Sequence, residues 1–293
     1  MRRLVYLNGE IVEADAALVS VFDSGLLHGA GLFETMRAYG GVVFRQADHL
    51  ARLKASAEAL SMFSLDAAST QAIADGLAEM LRQSELTDAR VRLTVTTGDV
   101  RQAEEGEAGP SPTVLATATH QDPLPAETYE TGITALVSKH KQSRLDPTCG
   151  FKTLNYLSRL ISLREAQAVG CAEAIWFTHE NLLAEGAISN VFVVADGAVK
   201  TPSIDTPVLP GVTRKVVIEL AAANGISIQE TPLTINDLLD AAEVFMTNSV
   251  REIVPVCRVE RRVIGDEKPG PITRRLIELY RRAVAEECHL DAK

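Results

Sequence analysis

The 293-residue chain is poor in cysteine, in aromatic residues and in basic charge. Its four cysteines have no C-x-x-C spacing, which indicates reduced thiols of a cytoplasmic protein rather than a disulfide framework. Only 5% of its residues are aromatic. Because 29 basic residues face 39 acidic ones, the net charge of -10 argues against binding to nucleic acid or to an anionic membrane.

Long apolar runs are also missing. No window approaches the roughly 18 apolar residues of a membrane span, and the apolar run at the start is too short for a signal peptide. The histidines show no H-x-x-x-H or related spacing, so we expect no metal site. With 46% hydrophobic and 23% charged residues, the chain has the composition of a globular protein long enough for two domains.

Turn pairs separate the short apolar runs. Asn8-Gly9, Gly40-Gly41 and Asp196-Gly197 predict hairpins, and longer segments with helical spacing lie between them, so the sequence predicts a mixed α/β fold. Pro123 and Pro125 interrupt regular patterns on both sides. We therefore place a linker at 120–127, between a small N-terminal α/β domain at 1–119 and a larger C-terminal α/β domain at 128–293.

Two elements of the N-terminal half carry arginines. Asp48 is the expected N-cap of a helix whose apolar stripe leaves Arg52 on an adjoining face. The segment 90–96 alternates as a half-buried strand, which places Arg90 and Arg92 on the same face. Two arginines on one strand face favour contact with an anion, although pairing with the chain's acidic residues is the alternative.

The sequence predicts two helices in the C-terminal half that begin next to candidate site residues. One is expected over 155–169, just after Lys152, and stops at Gly170. The other opens at 209–214 and ends near Gly225. The opening of this second helix combines unpaired backbone N–H groups, the hydroxyl of Thr213 and a positive dipole end, which is the chemistry of an anion site.

The strongest pattern is a pair of motifs, Gly150-Phe151-Lys152-Thr153-Leu154-Asn155-Tyr156-Leu157 and Leu183-Ala184-Glu185-Gly186-Ala187-Ile188-Ser189-Asn190-Val191-Phe192. They resemble the cofactor site of the class IV (fold type IV) pyridoxal-phosphate enzymes, and the likeness runs from Asp23 to Val256. The resemblance implies two α/β domains with the cofactor pyridoxal 5'-phosphate at their interface. It also implies a homodimer in which a loop near His28 helps to close the partner's site.

The resemblance assigns the reactive groups. Lys152 is the expected Schiff-base lysine, and it would also move a proton between the substrate α-carbon and the aldehyde carbon of the cofactor. Glu185 would keep the pyridine nitrogen protonated, so that the ring acts as an electron sink. Asn190 is expected to support the glutamate loop. Tyr156 is the expected partner of the ring oxygen, although the branched-chain members have one more residue between lysine and tyrosine.

The same resemblance assigns the phosphate to Arg52, Val212, Thr213 and Ser249. Arg52 offers a two-pronged fork to phosphate oxygens. The start of a helix adds backbone N–H groups and a hydroxyl without further charge.

The family offers more than one reaction. The leading expectation is an aminotransferase that passes an amino group from an amino acid to a 2-oxo acid by a ping-pong route. Phe33, Arg37 and Arg92 match the branched-chain enzymes, but Arg90 stands where they commonly have a tyrosine. The D-amino-acid enzymes carry an arginine just before the glycine at this point of the sequence, whereas this chain has Thr97-Gly98-Asp99. Their usual carboxylate trap is therefore absent, and Arg90, Arg92 or His28 are the residues that could form another.

The alternative reaction is that of an aminodeoxychorismate lyase, which releases pyruvate. Thr35 and Asn248 stand where the lyases carry their own threonine and asparagine. With Val250 and His28, they complete the expected substrate-binding residues. A third interpretation is a cofactor-binding relative without turnover, but the presence of Lys152, Glu185, Arg52 and Thr213 together argues against it.

Overall fold

The computed structural model describes residues 3–101 and 111–290, and the chain divides into two units. The first contains the described residues up to Asp122, the segment Phe151–Asn155 and the residues from Val284 onward. The second contains Pro123–Gly150 and Tyr156–Ala283. Lys152 therefore belongs to the first unit, whereas the sequence placed it in a continuous C-terminal domain. The chain crosses between units more than once, a feature that linear patterns do not reveal.

The expected linker at 120–127 is shorter in the structure. His120 is the last residue of a strand, and a helix begins at Ala126. The intervening segment contains Pro123, at which the second unit begins, and Pro125, the residue just before the helix. Proline fits there because the first helical turn does not need its N–H group.

The first unit is an antiparallel sheet with helices packed on it. Its described strands lie in the order β2-β1-β6-β5-β3-β4. They are β1 (Leu4–Leu7), β2 (Glu10–Glu13), β3 (Gly31–Tyr39), β4 (Val42–Val43), β5 (Ala89–Thr96) and β6 (Val114–His120). The helical segments are a 3-10 turn (Ala14–Ala16), α1 (Ser24–His28), α2 (Gln46–Ala59) and α3 (Ala67–Gln83).

The two faces of this sheet differ in chemistry. Val91, Leu93 and Val95 are fully buried in a core shared with α2 and α3. Arg90 and Arg92 point to the opposite face and are exposed. The alternation predicted for this strand is confirmed, and it separates an apolar core from a polar surface.

The second unit is built on a mixed sheet. Its described strands lie in the order β12-β11-β10-β13-β14-β7-β8-β9, and β15 pairs with β14. They are β7 (Ile133–Gln142), β8 (Glu173–Thr178), β9 (Leu183–Gly186), β10 (Asn190–Ala195), β11 (Ala198–Thr201), β12 (Ile228–Glu230), β13 (Glu243–Asn248), β14 (Glu252–Val259) and β15 (Arg262–Val263). The helices are α4 (Ala126–Thr131), α5 (Leu157–Ala168), α6 (Val212–Ala223), α7 (Ile235–Leu239) and α8 (Pro271–Glu287), and α8 continues into the first unit. The expected mixture of α and β is confirmed.

The three predicted hairpins are also confirmed. Asn8-Gly9, Gly40-Gly41 and Asp196-Gly197 each join adjacent antiparallel strands through two residues. Both residues of each pair have positive φ. This is the mirror-image turn that suits the twist of a hairpin, and it favours glycine, asparagine and aspartate.

Helix starts were predicted less well. Asp48 is not the N-cap of α2, because the helix begins at Gln46 and the N-cap is Arg45, with φ of 53°. Asp48 instead lies in the first turn, 3.2 Å from the Arg45 guanidinium. An acidic residue is favourable there because of the helix dipole, so the sequence signal was correct in kind and wrong in position.

The described residues include no helix with both the length and the apolar character needed to cross a membrane. Within those same ranges, no cluster of three or more histidine, cysteine, aspartate or glutamate side chains is arranged to hold a metal ion.

Replacing Gly76 by alanine should lower the free energy of unfolding by about 1–3 kcal/mol through overpacking. A Cβ at Gly76 in α3 would lie 2.2 Å from the ring of Tyr6 in β1. The better helix propensity of alanine, about 1 kcal/mol, offsets only part of this. Urea unfolding measures the change. In a Tyr6→Leu background the same substitution should cost less, and an equal cost in both backgrounds would show that the ring is not responsible.

Candidate functional site

Lys152 lies in a short extended segment that pairs with the edge of β3. The N–H of Phe33 donates to the carbonyl of Lys152 at 2.9 Å, and the N–H of Leu154 donates to the carbonyl of Gly31 at 2.9 Å. A Cβ at Gly31 would lie 2.6 Å from the Leu154 side chain, so this close approach requires glycine. The main chain thus fixes where the Lys152 side chain begins.

The ring of Phe33 lies close to two cations. The Lys152 Nζ is 4.2 Å from the ring centroid, and the guanidinium carbon of Arg92 is 3.9 Å from it. Both are within the range of cation–π attraction. Thr35 stands opposite Arg92 in the register of β3 and β5, so it shares this sheet face. The structure therefore places Lys152 against Phe33, and Arg92 and Thr35 lie on the same sheet face as that ring.

Arg37 and Arg90 also stand opposite each other on these strands. Arg90 is exposed, but Arg37 is buried. The Arg37 guanidinium donates to the carbonyl of Gln121 at 2.9 Å and lies 5.1 Å from the Tyr39 ring centroid. Arg37 therefore ties β3 to the segment that leaves the sheet after β6.

Arg52 lies on the other face of β3, against a buried carboxylate. Its Nε donates to Oε1 of Glu34 at 2.8 Å, and its Nη2 donates to Oε2 at 2.5 Å. Burial alone would raise the pKa of Glu34, but the charge of Arg52 and the hydrogen bonds from His49 and Arg52 outweigh it and lower that pKa to about 2. Glu34 is therefore ionised at neutral pH.

His49 completes this cluster. Its Nδ1 lies 2.7 Å from Oε2 of Glu34. Because an ionised carboxylate only accepts hydrogen bonds, Nδ1 must carry a proton and donate. Burial lowers the pKa of His49, Glu34 opposes this, and the charges of Arg52 and Lys152 reinforce it. His49 is thus a neutral donor.

His28 is exposed at the end of α1. The loop before it is anchored by Asp23, whose Oδ2 accepts from the hydroxyls of Thr96 at 2.8 Å and Thr113 at 2.7 Å. Its Oδ1 accepts from the N–H of Gly25 at 2.8 Å. This anchored segment presents a group of exposed apolar side chains, namely Leu18, Val19, Val21, Phe22, Leu26 and Leu27.

In the second unit, Glu185 is buried and accepts hydrogen bonds on both oxygens. Oε1 accepts from Arg159 at 2.7 Å and from Gln142 at 3.3 Å. Oε2 accepts from the N–H of Leu209 at 2.9 Å and lies 3.5 Å from the amide nitrogen of Asn190. The hydrogen bond from Arg159 is charge-assisted, and the four donors together fix the orientation of the carboxylate.

Arg159 is itself held in place. Its guanidinium carbon lies 4.3 Å from the centroid of the Trp176 ring. The Trp176 Nε1 donates to the hydroxyl of Ser162 at 2.9 Å, and His140 stacks on the same ring with centroids 5.8 Å apart. A packed aromatic platform therefore orients the cation that faces Glu185.

Asn190 and the start of α6 lie next to this carboxylate. The Asn190 amide donates to the carbonyl of Leu209 at 2.8 Å, and a Cβ at Gly211 would lie 1.9 Å from its oxygen. Gly211 is the N-cap of α6, so Val212 and Thr213 occupy the first helical positions. Their N–H groups have no carbonyl partner within the helix, which is the expected anion site.

The remaining expected residues lie in turns of the second unit. The hydroxyl of Tyr156 donates to the carbonyl of Ala187 at 3.0 Å. Asn248 ends β13, and its Oδ1 accepts from the N–H of Val250 at 3.0 Å. Ser249 and Val250 form the turn before β14. Asn248 therefore shapes the turn that carries the two residues after it.

Sequence reasoning missed a buried acid under the Glu185 loop. Oε1 of Glu173 accepts from the N–H of Ala187 at 3.1 Å, and Oε2 accepts from the hydroxyl of Ser189 at 2.8 Å. Burial raises the pKa of Glu173, while these hydrogen bonds and the charge of Arg251 act in the opposite direction. Glu173 thus fixes the turn that follows Glu185.

The structure collects the expected residues into two groups, one in each unit. The first holds Lys152, Arg52, Phe33, Thr35, Arg37, Arg90, Arg92 and His28, and the second holds Glu185, Tyr156, Asn190, Val212, Thr213, Asn248, Ser249 and Val250. Four partners were not predicted, namely Glu34, His49, Gln142 and Arg159. Only the i, i+3 spacing of His49 and Arg52 on one helix was a usable signal.

Comparison with known proteins gives consistent results. The family model for class IV amino-transferases matches residues 31–259. A protein of Methanocaldococcus jannaschii, provisionally named a branched-chain-amino-acid aminotransferase, is 39% identical over 94% of this chain and 95% of its own. The D-alanine aminotransferase of Bacillus licheniformis is 30% identical over 97% and 98%, and the aminodeoxychorismate lyase of Bacillus subtilis is 32% identical over 98% and 96%.

Solved structures agree with the sequence relatives. The branched-chain amino acid aminotransferase of Escherichia coli matches with a TM-score of 0.87 at 33% identity, over 95% of this chain and 93% of that one. The T.th. branched-chain enzyme with pyridoxamine 5'-phosphate matches with a TM-score of 0.89 at 28% identity, over 98% and 95%. The expected fold type IV architecture is confirmed. The chain belongs to the class IV aminotransferase family, as its lysine and glutamate motifs predicted.

Proposed function

We propose that this protein is a pyridoxal-phosphate-dependent aminotransferase that moves an amino group from an amino acid to a 2-oxo acid by a ping-pong route. The donor is a branched-chain-like L-amino acid or a D-amino acid, following its relatives. The observation that carries the proposal is Lys152, whose main chain is paired with β3 and whose amine rests on the Phe33 ring.

The donor groups of the chain fit this cofactor. An aldehyde needs a primary amine, a pyridinium nitrogen needs a carboxylate, and a phosphate dianion needs cationic or N–H donors. Lys152, Glu185 and Arg52 supply these three groups. When bound, the cofactor supplies an electron sink for the α-carbon of the substrate.

Lys152 would hold the aldehyde carbon of the cofactor through its amine. The same Nζ would serve as the general base that takes the α-proton of the substrate and as the general acid that gives it back. The paired main chain of the 152–154 segment limits how far this amine can move, which favours a single path for the proton.

Glu185 would bind the pyridine N–H, and the hydrogen bond from Arg159 orients this carboxylate. Asn190 and the N–H of Leu209 hold its second oxygen. Tyr156 would contact the ring oxygen of the cofactor. Its hydroxyl donates its proton to the Ala187 carbonyl, so it would accept a hydrogen bond from that ring oxygen.

As the family resemblance implies, Arg52, the N–H groups of Val212 and Thr213, and Ser249 would bind the phosphate. Arg52 brings the charge, and the start of α6 brings donors aligned with the helix dipole. This division of work suits a dianion, because one cation and several neutral donors satisfy its oxygens without excess charge.

The substrate contacts expected from the polar face of the first unit are Phe33, Thr35, Arg90 and Arg92. His28, Asn248 and Val250 are further candidates in loops and turns. Arg92 is the favoured carboxylate contact, because its guanidinium is oriented by the Phe33 ring that also holds Lys152. Arg37 takes a supporting role, since its donors go to main-chain carbonyls.

The second candidate is an aminodeoxychorismate lyase. It is favoured by the relative from Bacillus subtilis and by Thr35, which lies on the polar sheet face opposite Arg92. It is disfavoured by Asn248, whose Oδ1 accepts N–H groups of its own turn.

We place the enzyme in the cytoplasm, without a nucleic-acid or membrane partner. All four cysteines are unpaired thiols. Burial is the main cause that raises the pKa of Cys257 and of Cys288 to about 11, so both are unreactive at neutral pH.

The chain should form a homodimer through the apolar segment Leu18–Leu27. Six exposed apolar side chains anchored by one buried aspartate are typical of an interface rather than of a solvated loop. Light scattering should report two chains per particle, and Leu26→Asp should weaken the association, whereas Leu145→Asp, at another exposed leucine, should not. A wild-type particle of one chain at micromolar concentration would refute the dimer.

The reaction is tested by half-reactions of the cofactor-loaded protein. Single L- and D-amino acids and aminodeoxychorismate are added, while the absorbance of the lysine-bound cofactor and the release of pyruvate are followed. We expect conversion to the pyridoxamine form by one enantiomeric series. Rapid pyruvate release from aminodeoxychorismate, with no response to amino acids, would make the protein a lyase.

Lys152→Ala is the control for this screen. It should remove the lysine-bound absorbance and all turnover, while Lys139→Ala, at an exposed lysine of β7, should leave both unchanged. Turnover that survives in Lys152→Ala would contradict the mechanism for either reaction.

Glu185→Gln should keep the cofactor absorbance but slow the half-reaction by about 10²-fold, because a neutral amide does not hold the pyridine proton. Stopped-flow absorbance measures this rate. Glu180→Gln, in the exposed turn before β9, is the matched control. An unchanged rate in Glu185→Gln would remove the carboxylate from the mechanism.

A further inference from the structure

The cluster of Glu34, His49 and Arg52 contains a charge in an unusual place. Glu34 points from β3 into the face of the sheet that carries the apolar core, between Leu32 and Met36 in the alternation of the strand. The side chains of Glu34 and His49 are each 1% exposed, and that of Arg52 is 10% exposed. A carboxylate buried this deeply is costly unless it is fully hydrogen-bonded.

Stability alone does not account for this arrangement. A buried ion pair is often no more stable than apolar residues of similar volume, because desolvation offsets the attraction between the charges. What the ion pair of Glu34 and Arg52 does provide is a fixed orientation of the guanidinium. A carboxylate that accepts from Nε and Nη2 fixes the plane of the guanidinium, which otherwise rotates on a long flexible stem.

His49 fixes the carboxylate in turn. Its Nδ1 donates to Oε2, the same oxygen that accepts from the Arg52 Nη2. His49 and Arg52 lie three residues apart on α2, so one helix presents both donors to one carboxylate on β3. The side chain of Arg52 is thereby oriented from two elements.

We propose that Glu34, supported by His49, is a positioning residue that aims the guanidinium of Arg52 at the phosphate of the cofactor. This inference rests on the proposed function, which gives Arg52 its phosphate. Two neighbouring residues of β3 would then position two cofactor-binding side chains, Lys152 and Arg52. Phe33 holds Lys152 on one face of the strand, and Glu34 holds Arg52 on the other.

A phosphate-specific role can be separated from a structural one by comparing two ligands. Pyridoxal 5'-phosphate and pyridoxal differ only in the phosphate, so the ratio of their dissociation constants reports what the protein gains from that group. The full-length chain is freed of cofactor and titrated with each ligand by absorbance. We expect Glu34→Gln to weaken pyridoxal 5'-phosphate binding by about 10- to 100-fold, the range for a lost charge-assisted hydrogen bond.

The dissociation constant of pyridoxal for Glu34→Gln should stay within about twofold of that for wild type, since pyridoxal has no phosphate. His49→Asn should retain most of the ratio, because an asparagine amide can donate from the position of Nδ1. His49→Leu should lose part of it. These two variants also serve if Glu34→Gln does not fold.

The matched control is Glu243→Gln. Glu243 is another buried carboxylate, and it accepts from the N–H groups of Ile272 and Thr273 at the start of α8. Its loss should reduce stability without changing the ratio of the two ligands.

Arg52→Ala separates failure of this inference from failure of the proposed function. If Arg52→Ala leaves the ratio unchanged, the phosphate assignment itself is wrong, and the inference falls with it. If Arg52→Ala collapses the ratio but Glu34→Gln and His49→Leu do not, the assignment stands and the positioning role is overturned. If the role is correct, the double variant Glu34→Gln/Arg52→Ala should be no worse than Arg52→Ala alone.

Discussion

The pairing of residues 152–154 with the edge of β3 is the constraint on which the proposed chemistry depends. A lysine on a free loop would sample many positions, whereas here the carbonyl of Lys152 accepts from Phe33 and the N–H of Leu154 donates back to Gly31. The pairing also explains why the segment leaves its sequence neighbours and joins the first unit. A few main-chain hydrogen bonds thus decide with which sheet Lys152 is associated.

Both groups of polar residues follow the same physical rule: a buried charge is accompanied by a counter-charge that is itself oriented. Glu34 orients Arg52, and Trp176 orients Arg159 beside Glu185. The orientation matters more than the attraction here. A buried ion pair adds little net stability, but it holds its two side chains in a fixed geometry. Arg52 and Glu185 therefore each depend on a neighbouring side chain for their orientation.

The sequence predicted what is local. The turn pairs identified the hairpins because positive φ restricts the residue type, and Gly170 and Gly225 marked the ends of α5 and α6. The lysine and glutamate motifs identified the family. The sequence did not predict that Arg159 would meet Glu185 or that Glu34 would meet Arg52, because these pairs join elements that are distant along the chain. The main-chain carbonyl partners of Arg37 were not predicted for the same reason, since they lie 84 and 85 residues away.

The charge state of the cluster at Arg52 has a consequence for kinetics. Glu34, with a pKa of about 2, stays ionised from acid to alkaline solution, and burial lowers the pKa of His49 so that its ring is neutral at neutral pH and above. The cluster of Glu34, His49 and Arg52 therefore exchanges no proton near neutral pH. It contributes no inflection to a plot of rate against pH in that range. An inflection seen between about pH 6.5 and 9 would therefore have to come from groups other than Glu34 and His49.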